Sequence, residues 1–497
     1  MKKFSFLAGC VLFGALFNNA LACTTILVPN EASKDGSMLV ARSADSKADK
    51  AQVFLIHPRV ENQKGIYSTK THQGMNDFTY PLPTKSFQYS TIANWQSKLH
   101  GATGFNEMGV GVSATESIYA KDELLKFDPY NEKNGISEDD ILDVLLPRIK
   151  SAKEGVLLLG DIIEKQGAAE GFGVAFVDSK EIWYLESATA HQWMAVKIPN
   201  NSYFVSANQG RLKQLKFNDE NTLHSKNLIN FAIIHKAYNP KVDKDFDFFK
   251  VYTRNDDRDL TYNYPRVWWI QKMFNPSLNQ DVKNGANFNV FLQPEQKLSV
   301  DDLKKALRSH YDGTKYDPYA NFNENENIYR VVSVFRTYES HIMQVRPWLP
   351  KEIGRLNYVA IGMADLSVYL PYYFGNDEFI AGYQQGTNEA DDKSIYWIYR
   401  KLQTLVMSDY NKYAPIVKNA YAKFEKDTSL KQEAMEKEYL SLYKKDKNKA
   451  KQILVDFSLQ NQMEAKKLTQ DLTNQIFTLL TRDTDIKYKS LNKNKKD

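Results

Sequence analysis

Cys23-Thr24-Thr25-Ile26-Leu27-Val28, then Asp35-Gly36-Ser37-Met38-Leu39-Val40-Ala41-Arg42-Ser43-Ala44-Asp45, is the stretch that organises this 497-residue chain. Alternation over Thr24 to Val28, stopped by Pro29-Asn30, predicts a first strand. The Asp35-Gly36 turn signal predicts a second over Met38 to Arg42. Residues 1–22 read as a secretory signal: Lys2 and Lys3 form a positive segment, Phe4 to Phe17 an apolar one, and Ala20-Leu21-Ala22 a small-residue cleavage site. Cleavage after Ala22 makes Cys23 the first residue. It then carries a thiol and a free α-amine together, a nucleophile with its own base.

A cysteine at such a boundary also serves as the attachment residue of a lipoprotein. Lipid signals place Leu three residues ahead of the cysteine, where this chain has Ala20 and carries Leu21 one place late. Leu7-Ala8-Gly9-Cys10 fits that spacing better, but the apolar run before it, Phe4 to Gly9, is short for a signal.

Composition bounds the rest. An apolar fraction of 42% and an aromatic fraction of 13% describe a folded globular chain rather than a disordered one. Beyond the leader, no apolar run approaches the ~20 residues of a membrane helix. The net charge of +5, two of it from Lys2 and Lys3, does not call for nucleic acid as a partner. Only Lys487 to Lys496 is locally basic. With Cys10 in the leader, Cys23 is the single thiol of the mature chain, so no internal disulfide forms.

Further strands are expected at Gln52 to His57, on either side of a turn at Asn106 to Gly109, and at Phe172 to Val177, Ile182 to Glu186, Trp193 to Ile198 and Tyr203 to Ala207. Ser137 with Asp140 reads as a cap for one helix, and Ser151 with Glu154 as a capping box for another over Ala152 to Gln166. Residues 215–300 are mixed and aromatic-rich, with Trp268-Trp269 and Tyr262 to Tyr264 read as core or pocket wall. Ser299 to Arg308 reads as a capped helix. Val331 to Thr337 and Tyr358 to Met363 read as buried strands, and Tyr396 to Arg482 as helical. Strands, helices, then strands describe an α+β layered core. The expected organisation is a signal over 1–22, a catalytic domain over 23–395, and a helical, Lys-rich region over 396–497.

At this point the residues carry a likeness. The chain resembles the bacterial cysteine dipeptidases of the N-terminal-nucleophile hydrolases, a group related to penicillin V acylase and conjugated bile acid hydrolase. The likeness runs from Cys23 to about Gly375. It rests on CTTILV with DGSMLVARSAD, on FNEMGVGVSATES, IWYLES with HQWMAVKIP, VSANQGRL and LRSHYDGTKYD, and on RPWLPKEIGRLNYVAIGMADLSVYLPYYFG. It implies a four-layer αββα fold and hydrolysis of peptide or other amide C–N bonds, with no metal or organic cofactor.

The resemblance also implies site residues. Cys23 is the nucleophile. Arg42 and Asp45, the R-x-x-D of the family, favour the thiolate and orient the α-amine. Asn208, at the end of the Tyr203 to Ala207 strand, supplies an oxyanion donor. The acylase relatives carry a second Asn about ten residues past their Asn-Glu turn. This chain has Glu116 there, which cannot donate when ionised but suits the α-ammonium of a dipeptide. An Arg from the late strand region positions the nucleophile in the relatives, and Arg330 and Arg336 both lie near that place.

Other chemistries lack their signatures. None of the eight His residues, His191 and His310 included, forms an H-E-x-x-H or comparable metal cluster. The glycines of Gly101 to Gly111 lack the strand–loop–helix setting of a nucleotide site. No G-x-S-x-G elbow occurs. The leading expectation is an exported dipeptidase, periplasmic or secreted, acting on small peptides. The alternatives are an acylase of N-acyl or β-lactam amides using the same nucleophile, and a lipid-anchored binding protein. The C-terminal helices either wrap the core or mediate assembly, including as a homo-oligomer.

Overall fold

The computed structural model describes residues 23–215, 219–319 and 326–493. The expected signal over 1–22 lies outside them, as does the end of the basic tail. Thr24–Val28 (β1) and Met38–Asp45 (β2) form an antiparallel pair at the centre of a seven-stranded sheet. On the other side of β1 lies Tyr203–Ser206, followed by the edge strand Phe291–Leu292. On the other side of β2 lie Thr337–Val345, Arg355–Ile361 and Leu370–Tyr373. A second sheet has eight strands, in the order Thr222–His224, Trp193–Lys197, Ile182–Ser187, Phe172–Val177, Gly111–Ser117, Thr103–Phe105, Tyr89–Asn94 and Gln52–His57.

The two sheets face each other. Leu27, Met38, Val40 and Met343 of the first pack against Ala175, Val177, Tyr184 and Met194 of the second. The outer face of the second sheet is covered by helix Ala152–Gln166 (α1), through Val156, Leu159 and Ile163 against Phe176 and Trp183. Gly155 and Gly160 let this helix lie close, since a methyl group at Gly160 would stand 2.2 Å from the Trp193 ring. The outer face of the first sheet, Ile26, Val28, Leu39 and Ala41, is covered by Tyr264–Phe274 (α2) and Val300–Arg308 (α3). Helix, sheet, sheet, helix is the αββα arrangement of an α+β protein.

Local chemistry sets most boundaries. Ser151 caps α1 by accepting from Glu154 N–H, while the Glu154 carboxylate reaches back to Lys150 N–H instead of closing the expected box on Ser151. Ser299 and Asp302 do form a complete capping box on α3. The expected Ser137 cap is corrected. Ser137 donates to the Asp140 carboxylate, and the short helix starts at Ile141 and ends at Leu145, ahead of Pro147. Asn106 closes the hairpin before Gly111–Ser117 by accepting from Met108 N–H and Val110 N–H, with Gly109 at φ +86°. The expected strand over Val331 to Thr337 is also corrected, because only Thr337 belongs to a strand and that strand runs on to Val345.

The helical C-terminal extension is present as Ile395–Val406 (α4), Tyr410–Tyr443 (α5) and Lys447–Lys493 (α6). α5 and α6 form an antiparallel hairpin, with Tyr421 bonded to Thr469 at 2.9 Å inside it. Two arginines fasten the hairpin to the core. Arg346 forks onto Glu436 at 2.7 and 2.9 Å, and Arg308 pairs with Glu425 from α3. Arg346 and Glu436 are mostly buried, with side-chain exposures of 11% and 15%, so removing one strands the other's charge. Glu436→Ala is expected to lower unfolding stability by about 3 kcal/mol, read by denaturant titration. A loss under ~0.5 kcal/mol would class the pair with ordinary surface bridges.

Candidate active site

Strand register brings the expected residues together. Thr25 stands opposite Ser206 and Ile26 opposite Val205, so continuing that pairing sets Asn208 level with Cys23. On the other flank Thr24 stands opposite Ser43 and Thr25 opposite Arg42, which sets Cys23 level with Ala44, one residue short of Asp45. The Cys23 thiol is buried. Alternation along β2 turns Arg42 to the inner face with Met38 and Val40. There Arg42 crosses to the second sheet and donates to the carbonyls of Ala114 and Ala102, the latter at 3.3 Å.

Asp45 is fixed from both sides. Its Oδ2 is paired with Arg330, and its Oδ1 accepts from Thr337 Oγ at 2.5 Å. This separates the two arginines left open by the sequence. Arg330 holds Asp45, whereas Arg336 donates to the hydroxyl of Tyr262. Arg266 of α2, which sequence reasoning missed, reaches the residue Cys23 itself. Its Nη1 donates to the Cys23 carbonyl and to Thr24 Oγ1 at 3.0 Å, and its Nη2 to Asn208 Oδ1 at 2.9 Å and Asn263 Oδ1 at 2.7 Å. Asn263 in turn donates to the Asn208 carbonyl at 3.0 Å. A signal for this was present: Arg266 lies in the stripe with Val267, Ile270 and Phe274 that faces the sheet, a position where an arginine demands partners.

Glu116 comes from the facing sheet. The register shifts between Ala114 and Glu116, breaking the alternation, and Glu116 meets Tyr184 of the inner face, whose hydroxyl donates to Oε2 at 2.8 Å. Its Oε1 is buried and has no hydrogen-bond partner among the described residues. Burial raises the Glu116 carboxyl above the usual range, against the pull of Tyr184, Ser206, Arg266 and Arg42. Glu186 lies behind it, accepting from Arg211 N–H at 2.7 Å, and burial pushes it up to about 8. Among the described residues no group of three or more His, Cys, Asp or Glu is arranged to hold a metal ion.

The electrostatics of Cys23 follow from its burial. Desolvation pushes the thiol up to about 11, and the Arg42 guanidinium only partly offsets this. Arg42 stays charged, held above its ordinary value by Cys23, Tyr338, Glu339 and Glu116 despite burial. Burial, with repulsion from Arg330, brings Arg266 down to about 10, still charged at neutral pH.

A buried cysteine thus stands at the head of a central strand inside an αββα sandwich, with two arginines, an aspartate and an asparagine around it. The comparisons name the family: residues 22–423 match the model of Peptidase family C69, and the chain belongs to it. It is 49% identical over 389 residues to a probable dipeptidase of Salmonella dublin, covering 78% of this chain and 88% of that one. It is 35% identical over 394 residues to a probable dipeptidase of Latilactobacillus sakei, covering 78% and 82%. A dipeptidase of Bifidobacterium longum is 30% identical over 417 residues, covering 78% and 77%. Among solved structures, penicillin V acylase from Agrobacterium tumefaciens aligns with a TM-score of 0.32 and 13% identity, over 71% of this chain and 86% of that one.

With residues 1–22 still attached, Cys23 has no α-amine, and burial is the largest influence on its thiol. Alkylation of the Cys23 peptide in that uncleaved chain is expected to be slow at pH 8 and to rise toward pH about 11. A rate already at its plateau near pH ~8.5, the ordinary thiol value, would show that burial does not set this group.

Proposed function

We propose that the chain is an exported cysteine dipeptidase in which Cys23, made N-terminal by removal of residues 1–22, is the nucleophile. The observation that carries this is the convergence on Cys23 of Arg42 from one side of its sheet and the Arg266–Asn208 pair from the other. The family relationship and the names of the relatives support the peptide-bond chemistry.

In this reading the Cys23 thiol gives its proton to its own α-amine, directly or through water, as Sγ bonds to the substrate carbonyl carbon. Arg42 favours the thiolate, and Asp45, held by Arg330 and Thr337, orients the ammonium so formed. Charge builds on the carbonyl oxygen. With its Oδ1 taken by Arg266, Asn208 can offer only Nδ2 to that oxyanion. The tetrahedral intermediate collapses as the leaving amine takes the proton back from the α-ammonium. Water, deprotonated by the α-amine, then hydrolyses the thioester. Glu116, with a buried and unpartnered Oε1, receives the α-ammonium of the substrate, whose arrival restores the carboxylate charge that burial opposes.

N-terminal sequencing and intact mass should give an unblocked Cys23 start, and a diacylglycerol adduct would sink the mechanism in favour of a lipid anchor. Cys23→Ala should abolish hydrolysis, with Cys23→Ser keeping a trace, since loss of a nucleophile costs on the order of 10⁴–10⁶ in rate. Full activity after complete alkylation of Cys23 would reject the thiol.

Substrate class is tested at the ammonium end. Glu116→Gln is expected to weaken an unblocked dipeptide by ~2–5 kcal/mol in kcat/KM, and far less for N-acetylated substrates. A wild type that cleaves the N-acetyl form best would support the acylase alternative. A variant that loses both substrates equally would make Glu116 structural.

A further inference from the structure

Tyr262 stands where an unusual number of guanidinium groups meet. The carbons of Arg258, Arg266 and Arg330 lie 4.6, 5.2 and 5.4 Å from its ring centroid, and Arg336 donates to its hydroxyl. Most of this charge has a task. Arg266 is spent on Cys23, Thr24, Asn208 and Asn263, and Arg330 on Asp45. Arg258 is exposed on the rim. Arg336 is different: it is half-buried, and among the described residues no carboxylate lies within 4 Å of it. Among the described residues its side chain donates to a phenol that is itself drawn toward ionisation by Arg330, Arg266 and Arg336 against its burial.

Arg336 is also close along the fold to the nucleophile. It directly precedes Thr337, the cross-strand partner of Asp45, and its carbonyl accepts from Ser46 N–H at 3.3 Å. We propose that Arg336, aimed by the Tyr262 hydroxyl, anchors the free C-terminal carboxylate of the substrate and so sets the peptide length the site accepts. This rests on the dipeptidase reading. A dipeptide with its scissile carbonyl at Cys23 carries its carboxylate one residue further on, roughly 3.5 Å of backbone. A guanidinium fork suits that group, and a longer peptide presents a neutral amide there, leaving Arg336 without its anion. Glu116 and Arg336 then answer the two charges of a zwitterionic dipeptide.

The test uses the processed enzyme, the dipeptide it cleaves best, and that dipeptide's C-terminal amide. Wild type is expected to favour the free acid by ~30-fold or more in kcat/KM, and Arg336→Gln to collapse this preference to within ~3-fold. Arg336→Lys should keep an intermediate preference, because a point charge replaces part of the fork. The acid-to-amide ratio of the wild type needs no variant, so misfolding cannot mask the result. A wild type indifferent to amidation overturns the anchor, as does an Arg336→Gln variant that loses both substrates equally. A wild type that cleaves neither the dipeptide nor its amide removes the dipeptidase reading, and the anchor with it.

Discussion

The threading of β1 between β2 and the Tyr203–Ser206 strand is the constraint on which the site depends. Antiparallel ladders allow one register at a time, and a slip by one residue would turn every side chain of β1 to the other face. In the register observed, Leu27 enters the inter-sheet core while Ile26 and Val28 enter the helix-covered face. Both faces are buried, so the fit of individual side chains in each layer fixes the pairing, and the pairing fixes the levels of Asp45 and Asn208 beside Cys23. Packing energy therefore sets the geometry of the catalytic candidates.

Several charged or polar groups share this dry interior, and none would be tolerated alone. Arg42 donates to two carbonyls of the opposite sheet, Arg266 to five oxygens, the Cys23 carbonyl among them, and Asp45 accepts from Arg330 and Thr337. Each such network is costly to build and costlier to break, because deleting one member leaves another desolvated without a partner. The raised thiol of Cys23 belongs to the same account: burial opposes the thiolate, and the neighbouring guanidinium recovers only part of the loss.

The helical hairpin lies largely beyond the family-matched residues, which end at 423. Its attachment is specific nonetheless. Met435, Tyr439, Leu454 and Phe457 pack on Ile353, Leu356 and Tyr373 of the core, and two arginine–glutamate pairs fix its position. Among the described residues no helix is long and apolar enough to cross a membrane.

Local sequence determined the elements whose signals are short-range. The β1–β2 pair, the Asn106–Gly109 hairpin, the capped helices at Ser151 and Ser299, and the C-terminal helical run each carry their own periodicity, cap or turn residue. The candidates Cys23, Arg42, Asp45, Glu116 and Asn208 were legible because they sit within or just after such strands, in recognisable strings. Tertiary structure alone decided the rest. The central strand Thr337–Val345 escaped notice because Glu339, Ser340, His341 and Gln344 break its apolar pattern. These polar residues are buried by satisfying one another and their neighbours, as when His341 bridges Glu339 and Ser113. Arg266 was hidden for a related reason, since it lies 243 residues from Cys23 and no local rule links a helix residue to a strand that distant. The choice between Arg330 and Arg336 likewise needed the fold: six residues apart in one irregular segment, they differ only in which oxygen the folded chain brings to each.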